Sequence, residues 1–211
     1  MRKRCGSVVR IDDYKAARKI AIETLSTRTF DEICRASGFE AGDRDRFNVP
    51  FLDRNYLVAY PTFDFTNQSF EDQNVPIQEQ VLILHYMMAD DGPKGTGNWI
   101  SYREIPGAAF YFASFVKRAI DPLKKTFGQN PANLETIAAR INGKAIEAGD
   151  VGFAFDLFPK VSLQLILWEG DEEFSPEANI LFEDTVGEIL SPEDVAWLAG
   201  MLVYRLMTLS R

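Results

Sequence analysis

The sequence predicts an α+β fold: a small mixed sheet, mostly antiparallel, packed by several helices, with an N-terminal helical and hairpin segment. Three observations carry this. Val161–Trp168 is an apolar run bounded by Pro159 and Gly170. It is rich in branched and aromatic side chains and short for a helix, so it reads as a buried strand. Ser191, Pro192 and Asp194 form a helix start, with a capping hydroxyl, proline at the first helical position and an acid three residues after the cap. The elements run as helices, hairpin, helices, strands and helix, without the regular βαβ alternation of a doubly wound sheet.

Taken in order, Asp12 or Asp13 caps a first helix to about Thr27, on which Tyr14, Ala17, Ala21 and Leu25 recur at helical spacing. Thr29 caps a short second helix that Gly38 ends. Residues 47–51 and 56–60 flank a turn-like Leu52-Asp53-Arg54-Asn55 and predict a hairpin. Pro50 lacks an amide donor, which places its strand at a sheet edge. Val75-Pro76 opens a third helix whose stripe is Ile77, Val81, Leu84, His85 and Met88. Residues 90–97 break it, with Gly92 as the stop. A short strand follows from Trp99, and Pro106-Gly107 leads into an aromatic helix holding Phe110, Tyr111, Phe112 and Phe115. That cluster reads as core, with a flat-cofactor pocket as the alternative. Asp121-Pro122 is expected to kink or end the helix, because the residue before proline avoids helical geometry. Asn130-Pro131 starts another helix to about Ile141, and a strand lies between Gly149 and Phe158. Val195, Leu198, Leu202, Val203 and Leu206 share one face of the last helix.

A chain of 211 residues fits one domain, 1–211, with 1–70 as an N-terminal subdomain. The two cysteines, Cys5 and Cys34, lack metal-type spacing, and the single histidine adds no zinc or iron–sulfur set. That usage favours a cytoplasmic setting without a disulfide framework. No stretch has the apolar length of a membrane span, and no apolar region follows Arg2-Lys3-Arg4 as a secretory signal requires. A net charge of −8 disfavours nucleic acid as a partner. A homo-oligomer stays open.

Charge is unevenly placed. Residues 161–204 hold ten Asp and Glu and no Lys or Arg, whereas residues 1–54 hold twelve Lys and Arg against nine acids. Four of the late acids, Glu169, Asp171, Glu172 and Glu173, form an elbow directly after the Val161–Trp168 run. Two unit charges about 5 Å apart cost roughly 3 kcal/mol at an effective dielectric near 20. A divalent cation, an amine, or Arg103, Lys117 or Arg118 would offset that repulsion. A solvated turn or a structural ion-pair network is the plainer alternative. Arg103 and Glu104 form the second candidate, because a planar guanidinium suits a small anionic ligand. They precede helix amides, from about Ala108, that could add to an anion seat. The glycine-rich residues 92–97 follow a helix rather than a strand and do not end in Gly-Lys-Ser/Thr, so a phosphate loop is disfavoured. His85, on an apolar stripe, reads as a core histidine rather than a base.

The segments VLILHYMM, GNWISYREIPG, FVKRAIDPLKKTFG, DLFPKVSLQLILWEGDEEFSPEANILF and LSPEDVAWLAG together resemble a bacterial and archaeal family catalogued as domain of unknown function 3786 (DUF3786). The similarity spans most of residues 77–211, and its most specific parts are the Arg103 and elbow segments. The resemblance implies no established activity, substrate or fold. It implies an anaerobic context, and some family members add a cysteine-rich iron–sulfur segment that this chain lacks.

The expected function is therefore a small-molecule or ion binding or accessory protein, with its ligand held by Arg103, Glu104, Glu169, Asp171, Glu172 and Glu173. One alternative is an enzyme with Glu172 or Glu173 as general base and Arg103 as electrostatic stabiliser. Another is a structural or interaction protein in which these charges only hold the fold.

Overall fold

The structure is a computed structural model describing residues 5–70, 72–90 and 95–211, with side chains described from Ile11 onward. It is α+β, with two antiparallel sheets. The chain divides into two compact units, one of residues 1–50 and 54–91, the other of residues 51–53 and 92–211. Gly92, read from the sequence as a helix stop, lies outside the described residues together with 91, 93 and 94.

In the first unit, helix α1 (Cys5–Leu25) begins earlier than the sequence suggests, so Asp12 and Asp13 lie inside it rather than capping it. Helix α2 (Phe30–Ser37) follows the expected signals. Thr29 and Glu32 satisfy each other's amides in a capping box, and Gly38 closes the helix at φ 74°. Strands β1 (Glu40–Gly42), β2 (Arg46–Phe51), β3 (Arg54–Ala59) and β4 (Phe65–Asn67) form a sheet in sequence order. Strand β2 is thus interior, not the edge that Pro50 implied. The reason is local: β1 pairs only with Arg46 through Asn48, so Pro50 lies beyond the end of its neighbour and no bond is forfeited.

Helix α3 (Ile77–Met88) buries Val81, Leu82, Ile83, Leu84, Tyr86 and Met87, which is more than the predicted stripe, and leaves His85 half-buried. Arg28 Nη1 lies 3.3 to 3.4 Å from the carbonyls of Met87, Met88 and Ala89. A guanidinium there satisfies the helix's free acceptors and complements its negative end. Tyr56 donates to Glu79 Oε2 at 2.5 Å beside Arg54, and burial pushes the Tyr56 hydroxyl pKa well up, which keeps it neutral.

In the second unit, strands β5 (Trp99–Ser101), β6 (Lys144–Ala145), β7 (Val151–Phe158), β8 (Val161–Trp168) and β9 (Glu177–Glu183) order as β5-β9-β8-β7-β6. One face carries Phe153, Phe155, Leu163, Leu165, Ile180 and Phe182, all buried. Strand β8 sits at the centre, paired on both sides, and buries Val161, Leu163, Leu165, Ile166 and Leu167, while Ser162 and Gln164 are half-buried. Helices α4 (Phe112–Phe115), α5 (Asp121–Phe127), α6 (Pro131–Arg140), α7 (Val186–Ile189) and α8 (Pro192–Leu209) complete the unit. Ser191 caps α8 as its sequence indicates.

Asp121-Pro122 does not end the helical run. A π-turn, Val116–Ile120, joins α4 to α5, and Asp121 N–H reaches Val116 O, five residues back. The wider turn removes the clash that proline would make with a carbonyl four residues earlier. Gly200 of α8 lies against this turn; a Cβ there would stand 3.4 Å from Arg118 O.

The aromatic cluster is only partly core. Tyr102 stacks on Phe115 at 4.2 Å and donates to Pro192 O at 2.7 Å, but Phe110 is 86% exposed. Burial first, with the neighbouring Tyr111, pushes the Tyr102 hydroxyl pKa to about 12.

Candidate functional site

The elbow grows from the end of β8. After Trp168 the chain leaves the sheet, and each turn of backbone is held. Glu169 N–H donates to Asp150 Oδ2 at 2.8 Å, and Gly170 N–H donates to Gly128 O at 3.0 Å. Asp171 Oδ1 accepts from the amides of Glu173 and Phe174 at 2.8 and 2.7 Å, while its own amide donates to Phe174 O at 2.9 Å. These amide donors hold the Asp171 carboxyl below its usual range. Asp171 is therefore the residue that folds the elbow. Glu169, Glu172 and Glu173 are exposed on that fixed backbone. Two aromatics flank them, Trp168 at 41% exposure and Phe174 at 70%.

Arg103 and Glu104 occupy a single 3₁₀ turn, Tyr102–Glu104, after β5. Ser101 N–H donates to Glu104 Oε2 at 2.7 Å, and the Ser101 backbone and hydroxyl lower the carboxyl's pKa. Glu104 thus acts as a cap. The Arg103 guanidinium lies 3.9 Å from the centroid of the Phe112 ring. The anion seat expected from about Ala108 is partly spent, since Ala108 N–H already donates to Ile105 O.

The structure does not pair these two stretches. Among the described residues no ion pair joins Arg103, Lys117 or Arg118 to the elbow. Arg118 instead lies over Trp197 at 4.7 Å. The register explains the separation. Ser101 faces Leu181 on β9, while Trp168 faces Glu177. That offset is roughly 13 Å along the strands and two strand spacings, roughly 10 Å, across. On the elbow's flank Lys124 approaches Glu177 at 3.5 Å. Among the described residues no group of three or more His, Cys, Asp or Glu side chains is arranged to hold a metal ion. Burial, then the Asp31 charge, raises the Cys34 thiol pKa, which argues against a thiolate nucleophile.

The strongest sign of uncompensated negative charge falls at residues the elbow argument passed over. Asp156 faces Ser162, and Leu163 faces Phe182, so continuing that register brings Asp156, Ser162 and Glu183 into one row across the sheet. Asp156 is held by Lys144 Nζ and Ser162 Oγ, each at 2.7 Å. Asp184 accepts from Thr96 Oγ1 at 2.6 Å. Among the described residues Glu183 has no such partner, and its carboxylate occupies the space a side chain at Gly95 would need. Burial first, then the charges of Asp156 and Asp184, raises its pKa. The folded state therefore binds a proton more readily than the unfolded state does. Stability is lost as pH rises from the ordinary value of 4.5 through the raised one. Glu183→Gln is expected to raise the urea midpoint at neutral pH and to leave it nearly unchanged below pH 4.5. An equal change at both pH values would show that charge is not the cause. The signal in the sequence was the same cation-free stretch, but only strand register showed which acid bears the cost.

The comparisons agree with the resemblance. A family model described as Domain of unknown function (DUF3786) matches residues 29–205. No curated protein and no solved structure matches the chain.

Proposed function

The chain belongs to the DUF3786 family, and from that premise we propose that it is a cytoplasmic binding or accessory protein whose elbow holds a cationic group. One observation carries this reading. Glu169, Glu172 and Glu173 are exposed on a backbone fixed by Asp150, Asp171 and Gly128, between the exposed rings of Phe174 and Trp168. A solvated acidic turn without function has no need of that scaffold or of two exposed aromatics. Carboxylates give an amine its counter-charge, and an aromatic face adds a cation–π contact. Because the carboxylates point into water, each contributes little alone, and binding depends on several acting together.

Arg103 is a separate contributor in this reading. It serves an anionic part of the ligand if the ligand spans both stretches. The enzyme alternative gains less from the geometry, since Glu172 and Glu173 are both exposed.

Spermidine, titrated calorimetrically at low ionic strength, tests the proposal. Saturable binding is expected, falling about tenfold or more in the triple variant Glu169→Gln, Glu172→Gln, Glu173→Gln and weakening as salt shortens the Debye length. Equal binding by the triple variant, or no binding by the native chain, would exclude the elbow.

A further inference from the structure

A groove lies in the first unit, on the face of the four-stranded sheet turned away from its core. Alternation along β2 sends Phe47, Val49 and Phe51 to the buried side and Arg46 and Asn48 to the other. In β3 it buries Tyr56 and Val58 and turns Leu57 outward. Arg46, Asn48 and Leu57, with Gly42, Asp43 and Gln68, line a groove of about 360 Å³. That volume falls within the range of small-molecule sites.

What distinguishes the groove is the state of its polar side chains. Among the described residues, those of Asp43, Arg46, Asn48 and Gln68 make no hydrogen bond or ion pair with one another or with other side chains. Here the hairpin holds Arg44 and Asp45 at positive φ, 58° and 52°, and Gly42 faces Arg46 in register. Gly42 also leaves the Asn48 amide open to the groove, because a Cβ there would stand 3.3 Å from it.

We infer that this groove binds a small zwitterion of the α-amino-acid type. The Arg46 guanidinium takes the carboxylate, to which its donor fork is matched. Asp43 takes the ammonium group. The Asn48 and Gln68 amides, which both donate and accept, fix the orientation, and Leu57 supplies an apolar floor. The site lies in a different unit from the elbow and does not depend on the elbow's function.

The test is a ¹⁵N–¹H titration of the intact chain with the common amino acids, using acetate and ethylamine as single-charge controls. Saturable shifts are expected at residues 42–48, Leu57 and Gln68 for at least one amino acid. Arg46→Gln and Asp43→Asn, both at exposed positions, should each weaken that binding about tenfold or more. Shifts confined to other residues, no saturable shift with any amino acid, or variants that bind as tightly as the native chain would overturn the assignment. Acetate binding as tightly as the best amino acid would overturn the zwitterion. Loss of spermidine binding at the elbow leaves this experiment unaffected, so the two readings fail separately.

Discussion

Asp53→Ala is expected to remove about 3 kcal/mol of folding stability, the largest loss foreseen for a charged position. Arg205 of α8 grips Asp53 with both arms of its guanidinium, Nε to Oδ1 at 2.7 Å and Nη2 to Oδ2. Each side chain is only 18% exposed. Two features make the loss large. The pair is bidentate and charge-assisted, and truncating one member strands the other in a poorly solvated position. Against a total stability of about 5–15 kcal/mol, a loss of that size lowers the urea midpoint substantially. Arg205→Ala should cost a similar amount, and the double alanine variant should cost much less than the two single losses added together. Replacing both residues by leucine should recover most of the stability, because the interior then loses a desolvated pair rather than half of one. Additive single losses would show that the two side chains do not act on each other.

Gly170→Val is expected to cost about 1–3 kcal/mol and to weaken spermidine binding, although every acid remains in place. A Cβ at Gly170 would stand 2.5 Å from Pro176 Cδ, 2.6 Å from Gln129 Nε2 and 2.7 Å from Pro176 N. Two of those contacts are proline ring atoms, which cannot swing aside as the end of a flexible side chain can. The clash also opposes the Gly170 N–H bond to Gly128 O, through which the elbow is seated on the end of α5. Glu172→Gln separates the two effects. It removes a charge at an exposed position and should change stability by no more than about 0.5 kcal/mol. Chemical denaturation and calorimetry on the same samples give both readouts. A Gly170→Val chain that keeps native stability and affinity would show that the elbow is not held as described.

Much of the local structure was legible because its causes are local. The Thr29 and Ser191 caps and the Gly38 stop each follow from the chemistry of a few adjacent residues, and so does the hairpin turn, although it occupies only Leu52 and Asp53 and leaves Arg54 and Asn55 in β3. Strand β8 was legible because its apolar residues alternate with Ser162 and Gln164 and then run on through Leu165, Ile166 and Leu167, all buried. Other elements were not. Strands β1, β4 and β6 are two or three residues long and exist only through their partners. Strand β9 mixes Glu177, Asn179 and Glu183 with apolar residues and draws its definition from pairing with β8. The helical run through Pro122 depends on a π-turn packed against α8, which no nearest-neighbour rule anticipates.

By itself the sequence determined the α+β class, the capped helices, the central strand and the acidic character of residues 161–204, since each follows from composition, periodicity or short-range hydrogen bonding, and its segments carried the family resemblance. Only the tertiary structure decided what those charges do. It set Arg103 on Phe112, gave Asp171 to the elbow's backbone, left Glu169, Glu172 and Glu173 in water, and placed Glu183 near two other acids. The physical reason is that Coulomb interactions depend on distance and desolvation. Both are fixed by strand order and register, and neither can be read along the chain.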